Sequence, residues 1–260
     1  MSCSIQDIGN KWFLSSAPKR EMEVRLFCLP YAGRGASIYK EWQQLVPSWI
    51  DVCPVRLPGR ETRIREPLIR DMKIMVDNLA RAILPFLHDP YVLFGHSMGA
   101  LITYELANKI CELRYPKPVC LFISGSVAPS VAHDGLSRPV QNLSDSEFIE
   151  EIANNIHSTV LQLVSEPKLM SVMLPILRAD FELVQSYSYV IRPPLETPII
   201  VFSGTSDPSV PPEDLKPWAN CTSSHFSIEM LEGDHFFVHK SDQVVRKILK
   251  ALNRVRPPRR

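Results

Sequence analysis

The sequence predicts an α/β fold in which a mostly parallel sheet is flanked by helices. Short apolar and β-branched runs alternate along the chain with segments of helical periodicity. The runs are apolar at most consecutive positions, which is typical of strands buried on both faces. A glycine-flanked serine, Ser97, stands between one such run and a helix pattern. Parallel strands end at a common edge, where α/β proteins bind their ligands.

Six segments have the composition of strands, and four have the periodicity of helices. The predicted strands cover residues 24–29, 51–55, 91–95, 119–124, 198–203 and 226–231. The predicted helices cover residues 37–45, 71–87, 98–113 and 241–252. The second of these helices carries its apolar residues on one face, namely Met72, Met75, Val76, Leu79, Ala82, Ile83 and Phe86.

The alternation stops between about residues 130 and 197, where no strand-like run occurs. One helix pattern follows Ser144, which offers an N-cap, and further patterns cover residues 169–177 and 179–189. An insertion here lies over the carboxyl edge of the sheet, so we expect a helical lid that lines a substrate channel. Alternatively, its apolar residues only pack the insertion onto the body. We therefore expect one domain, residues 1–260, with a lid insertion at about 130–197.

The composition is typical of a soluble globular protein. Of the 260 residues, 45% are hydrophobic and 22% are charged, and the formal net charge is +1. This balance gives no electrostatic basis for binding nucleic acid. No apolar stretch approaches the ~20 residues of a membrane span, and the N-terminal segment lacks the pattern of a secretory signal.

The six cysteines form no C-x-x-C pair and no Cys/His spacing typical of a zinc site. Cys28, Cys53 and Cys120 fall within predicted strands, where a free thiol acts as a small hydrophobic side chain. Reduced cysteines without an export signal indicate a cytoplasmic protein. We expect a monomer that needs no metal and no cofactor.

Residues 95–99 match G-x-S-x-G, the pattern of a nucleophile elbow. A serine on a sharp turn between strand and helix is pushed out of the backbone, so its hydroxyl is exposed above the sheet. The helix pattern begins directly after Ser97, so its unpaired N–H groups point toward whatever the serine attacks. The alternative is a glycine-rich turn that contains serine by chance, and the flanking strand and helix disfavour it.

A serine nucleophile needs a base, and the base needs an acid to orient it. His235 is the candidate base, because it follows the last predicted strand and Gly233 permits a tight turn. Its rival is His239, one helical turn further along the chain. His235 completes the chain order Ser…Asp…His that is expected of an α/β-hydrolase.

Asp207 is the candidate acid, because it follows the predicted strand 198–203. Its carboxylate should therefore lie at the same sheet edge as Ser97 and His235. It also fits an Asx turn that stabilises its own loop. Asp214 is the runner-up, but the two prolines before it indicate the start of a helix. Asp234 adjoins His235, and neighbouring side chains diverge, so it is a poor partner.

Two backbone N–H groups are candidates for binding the oxyanion of a tetrahedral intermediate. One belongs to Met98, the residue after the nucleophile. The other should come from the loop at residues 30–37, and we expect it at Ala32. Alternatively, this loop is an ordinary glycine-rich connection; it lacks G-K-[ST], which excludes a P-loop.

Five motifs occur in a characteristic order: P-Y-A-G at 30–33, L-P-G-R-E at 57–61, G-H-S-M-G at 95–99, L-R-A-D at 177–180 and G-D-H-F at 233–236. Together they resemble the type II thioesterases, which include the medium-chain fatty acid synthase thioesterase and the stand-alone thioesterases of polyketide and nonribosomal peptide assembly lines. The resemblance spans about residues 25–252. It implies an α/β-hydrolase fold with a helical lid, a triad and an oxyanion hole, with Ser97, Asp207, His235, Ala32 and Met98 in these roles.

The resemblance also implies the reaction. An acyl thioester on the phosphopantetheine arm of an acyl carrier protein is hydrolysed through an acyl-serine, releasing a free fatty or polyketide acid. A carboxylesterase or lipase acting on oxygen esters would use the same triad. A third alternative is a silent binding module, which the presence of all three triad residues disfavours.

Several arginines are candidates for contact with the substrate or the carrier domain. Arg34 stands where the family commonly carries glycine, so the shape of the channel entrance is expected to differ. Arg34, Arg60, Arg63 and Arg65 are candidates for steering an acidic carrier domain. Alternatively, these charges are simply solvated on an exposed loop.

Overall fold

Within the part of the chain that the structure describes, six parallel strands form one sheet. The computed structural model describes residues 11–14, 21–131, 136, 138–156 and 167–255. The strands are β1 (Val24–Leu29), β2 (Ile50–Pro54), β3 (Tyr91–His96), β4 (Leu121–Ser124), β5 (Ile199–Gly204) and β6 (Phe226–Leu231). Their ends lie within two residues of the predicted ones, because the buried strands coincide with the apolar runs of the sequence.

The strand order is β2-β1-β3-β4-β5-β6, and all neighbouring strands are parallel. β1 pairs with β2 on one side and with β3 on the other, so the order of strands reverses between β1 and β3. The ligand crevice of such a sheet lies outside the carboxyl ends of the strands at this switch point. The loop after β1 and the turn after β3 therefore meet there.

Helices cover both faces of the sheet. They are α1 (Trp42–Leu45), α2 (Met72–Ile83), α3 (Met98–Glu112), α4 (Asp145–Ile156), α5 (Pro167–Gln185), α6 (Pro212–Leu215) and α7 (Ser241–Val255). The buried residues of α2 and α3 join the core on one face, and those of α1 and α7 join the core on the other. This arrangement confirms the predicted α/β fold class.

The predicted helix at residues 37–45 is wrong in form. The structure has a 3₁₀ turn, Ala36–Tyr39, followed by the single turn α1. The Tyr39 hydroxyl donates to the Leu29 carbonyl at 2.8 Å, and its ring packs edge-on against Trp42. The contacts of these two large buried side chains hold the backbone in two short turns instead of one continuous helix.

The predicted pair of helices at 169–177 and 179–189 is also wrong, because α5 runs through both segments to Gln185 and includes Pro175. Leu177, Asp180 and Phe181 are buried at helical spacing, so one face of α5 continues across the predicted break.

The insertion between β4 and β5 has a small core of its own. Parts of the predicted lid, residues 132–135, 137 and 157–166, lie outside the described residues. Ser144 caps α4 as predicted: its hydroxyl accepts from the Glu147 N–H, and the Glu147 carboxylate accepts from the Ser144 N–H. Ala32, in the loop after β1, packs against the cluster, whose buried members are Val140, Leu143, Phe148, Ile152, Leu177 and Phe181. These apolar residues thus hold the insertion together and also contact the loop after β1, which carries the expected oxyanion donor Ala32.

Within the described ranges, no helix is both long and apolar enough to cross a bilayer. Cys28, Cys53 and Cys120 are buried free thiols, as predicted. Burial raises the pKa of each of these thiols, to about 12 for Cys120, so they contribute packing rather than reactivity.

Ile102 on α3 tests the core beneath the elbow, because its side chain is fully buried. We expect Ile102→Ala to lower the free energy of unfolding by about 2–5 kcal/mol, since it leaves a cavity. Ile74→Ala on the exposed side of α2 is the matched control and should change it by less than about 0.5 kcal/mol. Urea denaturation measures both, and equal effects would contradict the packing described here.

Candidate active site

Ser97 lies on a strained turn between β3 and α3. Its φ of 53° and ψ of −119° place a non-glycine residue at positive φ, which costs about 1–3 kcal/mol. The Ser97 N–H donates to the Ser124 carbonyl on β4 at 2.8 Å, and the Ser97 carbonyl accepts from the Ala100 N–H at 2.8 Å. The neighbouring strand and the first turn of α3 therefore hold the turn, and they leave Ser97 only half-buried.

The two glycines of the motif are required by close backbone approach. A Cβ at Gly95 would overlap the Gly99 carbonyl, and a Cβ at Gly99 would overlap the Leu29 carbonyl of β1. The helix thus begins in direct contact with the backbone of β1 and β3. This contact brings the serine beside the loop that follows β1.

His235 and Asp207 form a buried hydrogen-bonded pair, as expected from the sequence. The His235 Nδ1 lies 2.7 Å from the Asp207 Oδ2, and both residues are less than a tenth exposed. A carboxylate only accepts, so Nδ1 carries a proton, and Nε2 is the ring nitrogen left to act as a base. The Ser206 N–H donates to the Gly233 carbonyl at 2.9 Å, which joins the loops after β5 and β6.

Ser209 is a member of the site that the sequence reasoning missed. Its N–H and hydroxyl both donate to the Asp207 Oδ1, at 3.0 and 2.6 Å. Its hydroxyl oxygen also lies 3.1 Å from the His235 Nδ1. The N–H bond closes the Asx turn that the sequence analysis offered as the alternative for Asp207. A serine two residues after the aspartate was the available signal.

The carboxyl group of Asp207 is held in its charged form. Burial by itself would raise its pKa, but the hydrogen bonds from His235 and Ser209 outweigh burial. The pKa of Asp207 is therefore lower than that of a free aspartate. A charged Asp207 fixes the orientation of the His235 ring.

His96, inside the elbow, connects the turn to the His235 loop. Its Nε2 donates to the His235 carbonyl at 2.8 Å, and its Nδ1 accepts from the Ser124 hydroxyl at 2.9 Å. Complete burial, followed by the nearby His235, lowers the pKa of His96 well below its usual value. A neutral His96 thus ties the backbone of residue 235 to the residue before Ser97, across 139 positions of sequence. The sequence analysis assigned His96 no role.

The His235 ring is close to the elbow without being bonded to its serine. The ring centroids of His96 and His235 are 5.2 Å apart. Among the described residues, the His235 ring is hydrogen-bonded to Asp207 and Ser209, and the Ser97 hydroxyl makes no capping hydrogen bond to α3. Catalytic hydrogen bonds are often long in unliganded structures and tighten only when substrate binds.

The rival residues have other partners. The His239 Nε2 lies 2.8 Å from the Tyr31 hydroxyl, and burial, followed by the charge of Arg34, lowers the pKa of His239. Asp234 accepts from the Phe236 N–H at 2.9 Å and so stabilises the turn that carries His235. Asp214 lies in the single helical turn α6, which begins at Pro212, as the prolines indicated. In the part of the chain that is described, the His235 ring is hydrogen-bonded to Asp207 and Ser209 and to none of these three.

Ala32 and Met98 flank the crevice at the switch point. Met98 is the first residue of α3, so its N–H has no partner within the helix. Within the described residues, neither the Ala32 nor the Met98 N–H donates a hydrogen bond. Two unpaired N–H groups beside the elbow are the arrangement that an oxyanion requires.

The predicted carrier-steering role is wrong for Arg60 and Arg63, because both are buried. Arg60 pairs with Asp180. Arg63 pairs with Glu66 at 2.7 Å and stacks over the Trp12 ring at 4.1 Å. Arg65 is exposed and Arg34 is half-buried, so these two stay candidates for contact with a partner.

A family model described as "Thioesterase domain" matches residues 24–252. The chain belongs to the thioesterase family. This span includes Ser97, Asp207 and His235, and the family is one of serine hydrolases with an α/β-hydrolase fold.

Similar proteins match almost the whole chain. The gramicidin S biosynthesis protein GrsT of Aneurinibacillus migulanus is 38% identical, over 96% of this chain and 97% of that protein. The medium-chain S-acyl fatty acid synthase thioesterase of Rattus norvegicus is 31% identical, over 84% and 82%. The solved structure of RedJ, a thioesterase from the prodiginine pathway of Streptomyces coelicolor, superposes with a TM-score of 0.79 at 34% identity, covering 91% of this chain and 89% of RedJ. These likenesses confirm both the resemblance and the fold.

The lowered pKa of Asp207 predicts a pH-dependent contribution to stability. A depressed carboxyl pKa stabilises the fold above the unfolded value of about 3.9, and the contribution disappears as the pH falls through the folded value. We expect the loss of stability in Asp207→Asn to be largest at neutral pH and to shrink below about pH 4. Urea denaturation between pH 3 and 7 measures it, with Asp214→Asn as the control. A difference that stays constant with pH would contradict this assignment.

The His96 bridge predicts a loss of activity without loss of any triad residue. In His96→Phe a ring still fills the site, but the hydrogen bond to the His235 carbonyl is gone. We expect kcat for an acyl thioester to fall about 100-fold, since a displacement of about 1 Å at a reacting group has that effect. The exposed His225 provides the control, His225→Phe, which should keep wild-type activity. Unchanged kcat in His96→Phe would refute the bridge.

Proposed function

We propose that this thioesterase hydrolyses acyl thioesters through a covalent acyl group on Ser97, with His235 as base and Asp207 as the acid that orients it. The observation that carries the proposal is the buried His235–Asp207 pair, 2.7 Å between Nδ1 and Oδ2, beside an elbow with a half-buried serine. The pair lies on loops after β5 and β6, and the elbow follows β3. All three groups therefore meet at the carboxyl edge of the sheet.

The first half of the reaction forms the acyl-enzyme. As substrate binds, the Ser97 hydroxyl donates to the His235 Nε2, which takes the proton while the serine oxygen attacks the thioester carbonyl carbon. The negative carbonyl oxygen accepts from the Ala32 and Met98 N–H groups, each worth roughly 3 kcal/mol in the transition state. The intermediate then breaks the carbon–sulfur bond, and the thiol leaves with the proton from His235.

The second half of the reaction releases the acid. His235 takes a proton from water, and the resulting hydroxide attacks the acyl-serine carbonyl. The same two N–H groups hold the oxyanion, and the proton returns to the Ser97 oxygen as the carboxylic acid departs. The chemistry uses only residues of this chain.

We further propose that the thioester is carried on the phosphopantetheine arm of an acyl carrier protein or carrier domain of a peptide or polyketide assembly line. GrsT is named as a gramicidin S biosynthesis protein. Its sequence identity to this chain, 38%, is higher than that of the rat fatty acid synthase thioesterase, which is 31%. RedJ comes from the prodiginine pathway. On this proposal the enzyme removes acyl groups that block carriers, and release of fatty acids is the second candidate.

The insertion is proposed to shelter the acyl chain. Leu174 of α5 and Ala32 of the loop after β1 pack against the insertion cluster. The Leu177 side chain also lies directly on Gly33. Apolar side chains thus approach the expected oxyanion donor from the insertion side, where an acyl chain on Ser97 would need cover.

Three sequence-based expectations stay predictions. They are a single domain over residues 1–260 with a lid at about 130–197, a monomer, and a cytoplasmic location. Light scattering after size-exclusion chromatography tests the oligomeric state, with a mass near 29.5 kDa expected for a monomer.

Ser97→Ala tests the nucleophile. We expect a roughly 10⁶-fold fall in kcat for acyl-carrier substrates, since the covalent pathway is lost, together with a wild-type unfolding temperature. Ser206→Ala, at an exposed serine of the Asp207 loop, is the control and should retain activity. Near-normal turnover by Ser97→Ala would refute the proposal.

The substrate class is tested by comparing kcat/KM for three kinds of acyl ester. Wild-type kcat/KM should be higher for acyl-carrier thioesters than for acyl-coenzyme A thioesters and oxygen esters of the same acyl group. Higher values for the oxygen ester would identify a carboxylesterase instead.

A further inference from the structure

Two motifs of the sequence, L-P-G-R-E and L-R-A-D, meet in a buried ion pair. The Arg60 Nη1 lies 2.6 Å from the Asp180 Oδ2, and the Arg60 Nη2 lies 2.7 Å from the Asp180 Oδ1. Arg60 is 4% exposed and Asp180 is 0% exposed. Arg60 is in the loop after β2, and Asp180 is on α5 of the insertion, 120 residues away.

Both residues of the ion pair are also hydrogen-bonded to the loop that follows β1. The Gly33 N–H donates to the Asp180 Oδ2 at 2.7 Å. The Arg60 Nη1 also donates to the Arg34 carbonyl at 3.1 Å. One carboxylate and one guanidinium thus hold two successive residues of this loop.

The bond to Gly33 acts on the residue proposed as an oxyanion donor. The Gly33 N–H belongs to the peptide group that joins Ala32 to Gly33, so its hydrogen bond fixes the backbone on the carboxyl side of Ala32. A donor contributes to catalysis only where it points at the oxyanion.

A purely structural role explains the pair less well. Replacing a buried ion pair with apolar side chains of similar volume is often neutral or stabilising. Fold stability alone therefore does not require Arg60 and Asp180 at this place. A fixed acceptor for the Gly33 N–H does require an oxygen atom there.

We propose that Asp180 is a positioning residue for the oxyanion hole, and that Arg60 holds its carboxylate against the Gly33 N–H. The loop after β1 then points the Ala32 N–H at the oxyanion only while α5 packs against this loop. The insertion and the oxyanion donor therefore act as one unit. This inference rests on the proposed function, because it takes Ala32 as a donor.

A matched pair of double variants isolates the acceptor. Both carry Arg60→Met, which removes the guanidinium. One adds Asp180→Asn, which keeps an oxygen for the Gly33 N–H, and the other adds Asp180→Leu, which has nearly the same shape and no acceptor. Neither variant leaves a buried unpaired charge, so both should fold, and thermal unfolding checks this.

We expect R60M/D180L to lose about 100-fold in kcat with little change in KM, because the displaced donor acts on the transition state. We expect R60M/D180N to recover kcat to within about tenfold of wild type. Labelling of Ser97 by a fluorophosphonate should follow the same order, since its phosphoryl oxygen occupies the oxyanion site. If R60M/D180L does not fold, R60M/D180A is compared in its place.

Equal kcat and equal labelling rates in the two folded double variants would overturn the proposal, whether both are high or both are low. Labelling also separates this inference from the proposed function. If wild-type protein labels at Ser97 but hydrolyses no thioester, the substrate assignment fails, and the comparison of labelling rates still decides the role of Asp180.

Discussion

The site depends on one steric constraint, the contact between the start of α3 and the backbones of β1 and β3. Neither Gly95 nor Gly99 has room for a Cβ, and Ser97 between them is held at positive φ. The cost of this strain, about 1–3 kcal/mol, is offset by a strand and a helix that are buried along almost their whole length. The strain has a chemical consequence, because it holds a serine above the sheet beside the first free N–H groups of a helix.

The other parts of the site are built around this turn by long-range hydrogen bonds. His96 holds the backbone of His235, and the loops after β5 and β6 are joined at Ser206 and Gly233. On the opposite side, Asp180 holds the loop after β1. The base and the expected oxyanion donor therefore approach the serine from different directions, each anchored by a buried polar group.

Much of this arrangement follows from the sequence, because buried parallel strands appear as apolar runs. The strands, the elbow and the His235–Asp207 pair were predicted on that basis. The break predicted in α5 was wrong, since the buried face of the helix continues through Leu177 and Phe181. Arg60 and Arg63 were candidates for steering a carrier domain, or else for solvated charges, but both are buried and paired within the fold. His96 and Asp180 form long-range pairings that neither periodicity nor residue type reveals, whereas the place of Ser209 two residues after Asp207 was a local signal that the sequence reasoning missed.

The central claim is that the acyl group passes through the hydroxyl at the strained turn. The most direct test is to quench the enzyme during turnover of a slowly hydrolysed acyl thioester and to locate the covalent adduct by peptide mass spectrometry. The account predicts one acyl group per chain, on the peptide that contains Ser97. An adduct on another residue, such as the exposed Cys111, or turnover with no adduct under conditions that trap one, would contradict it.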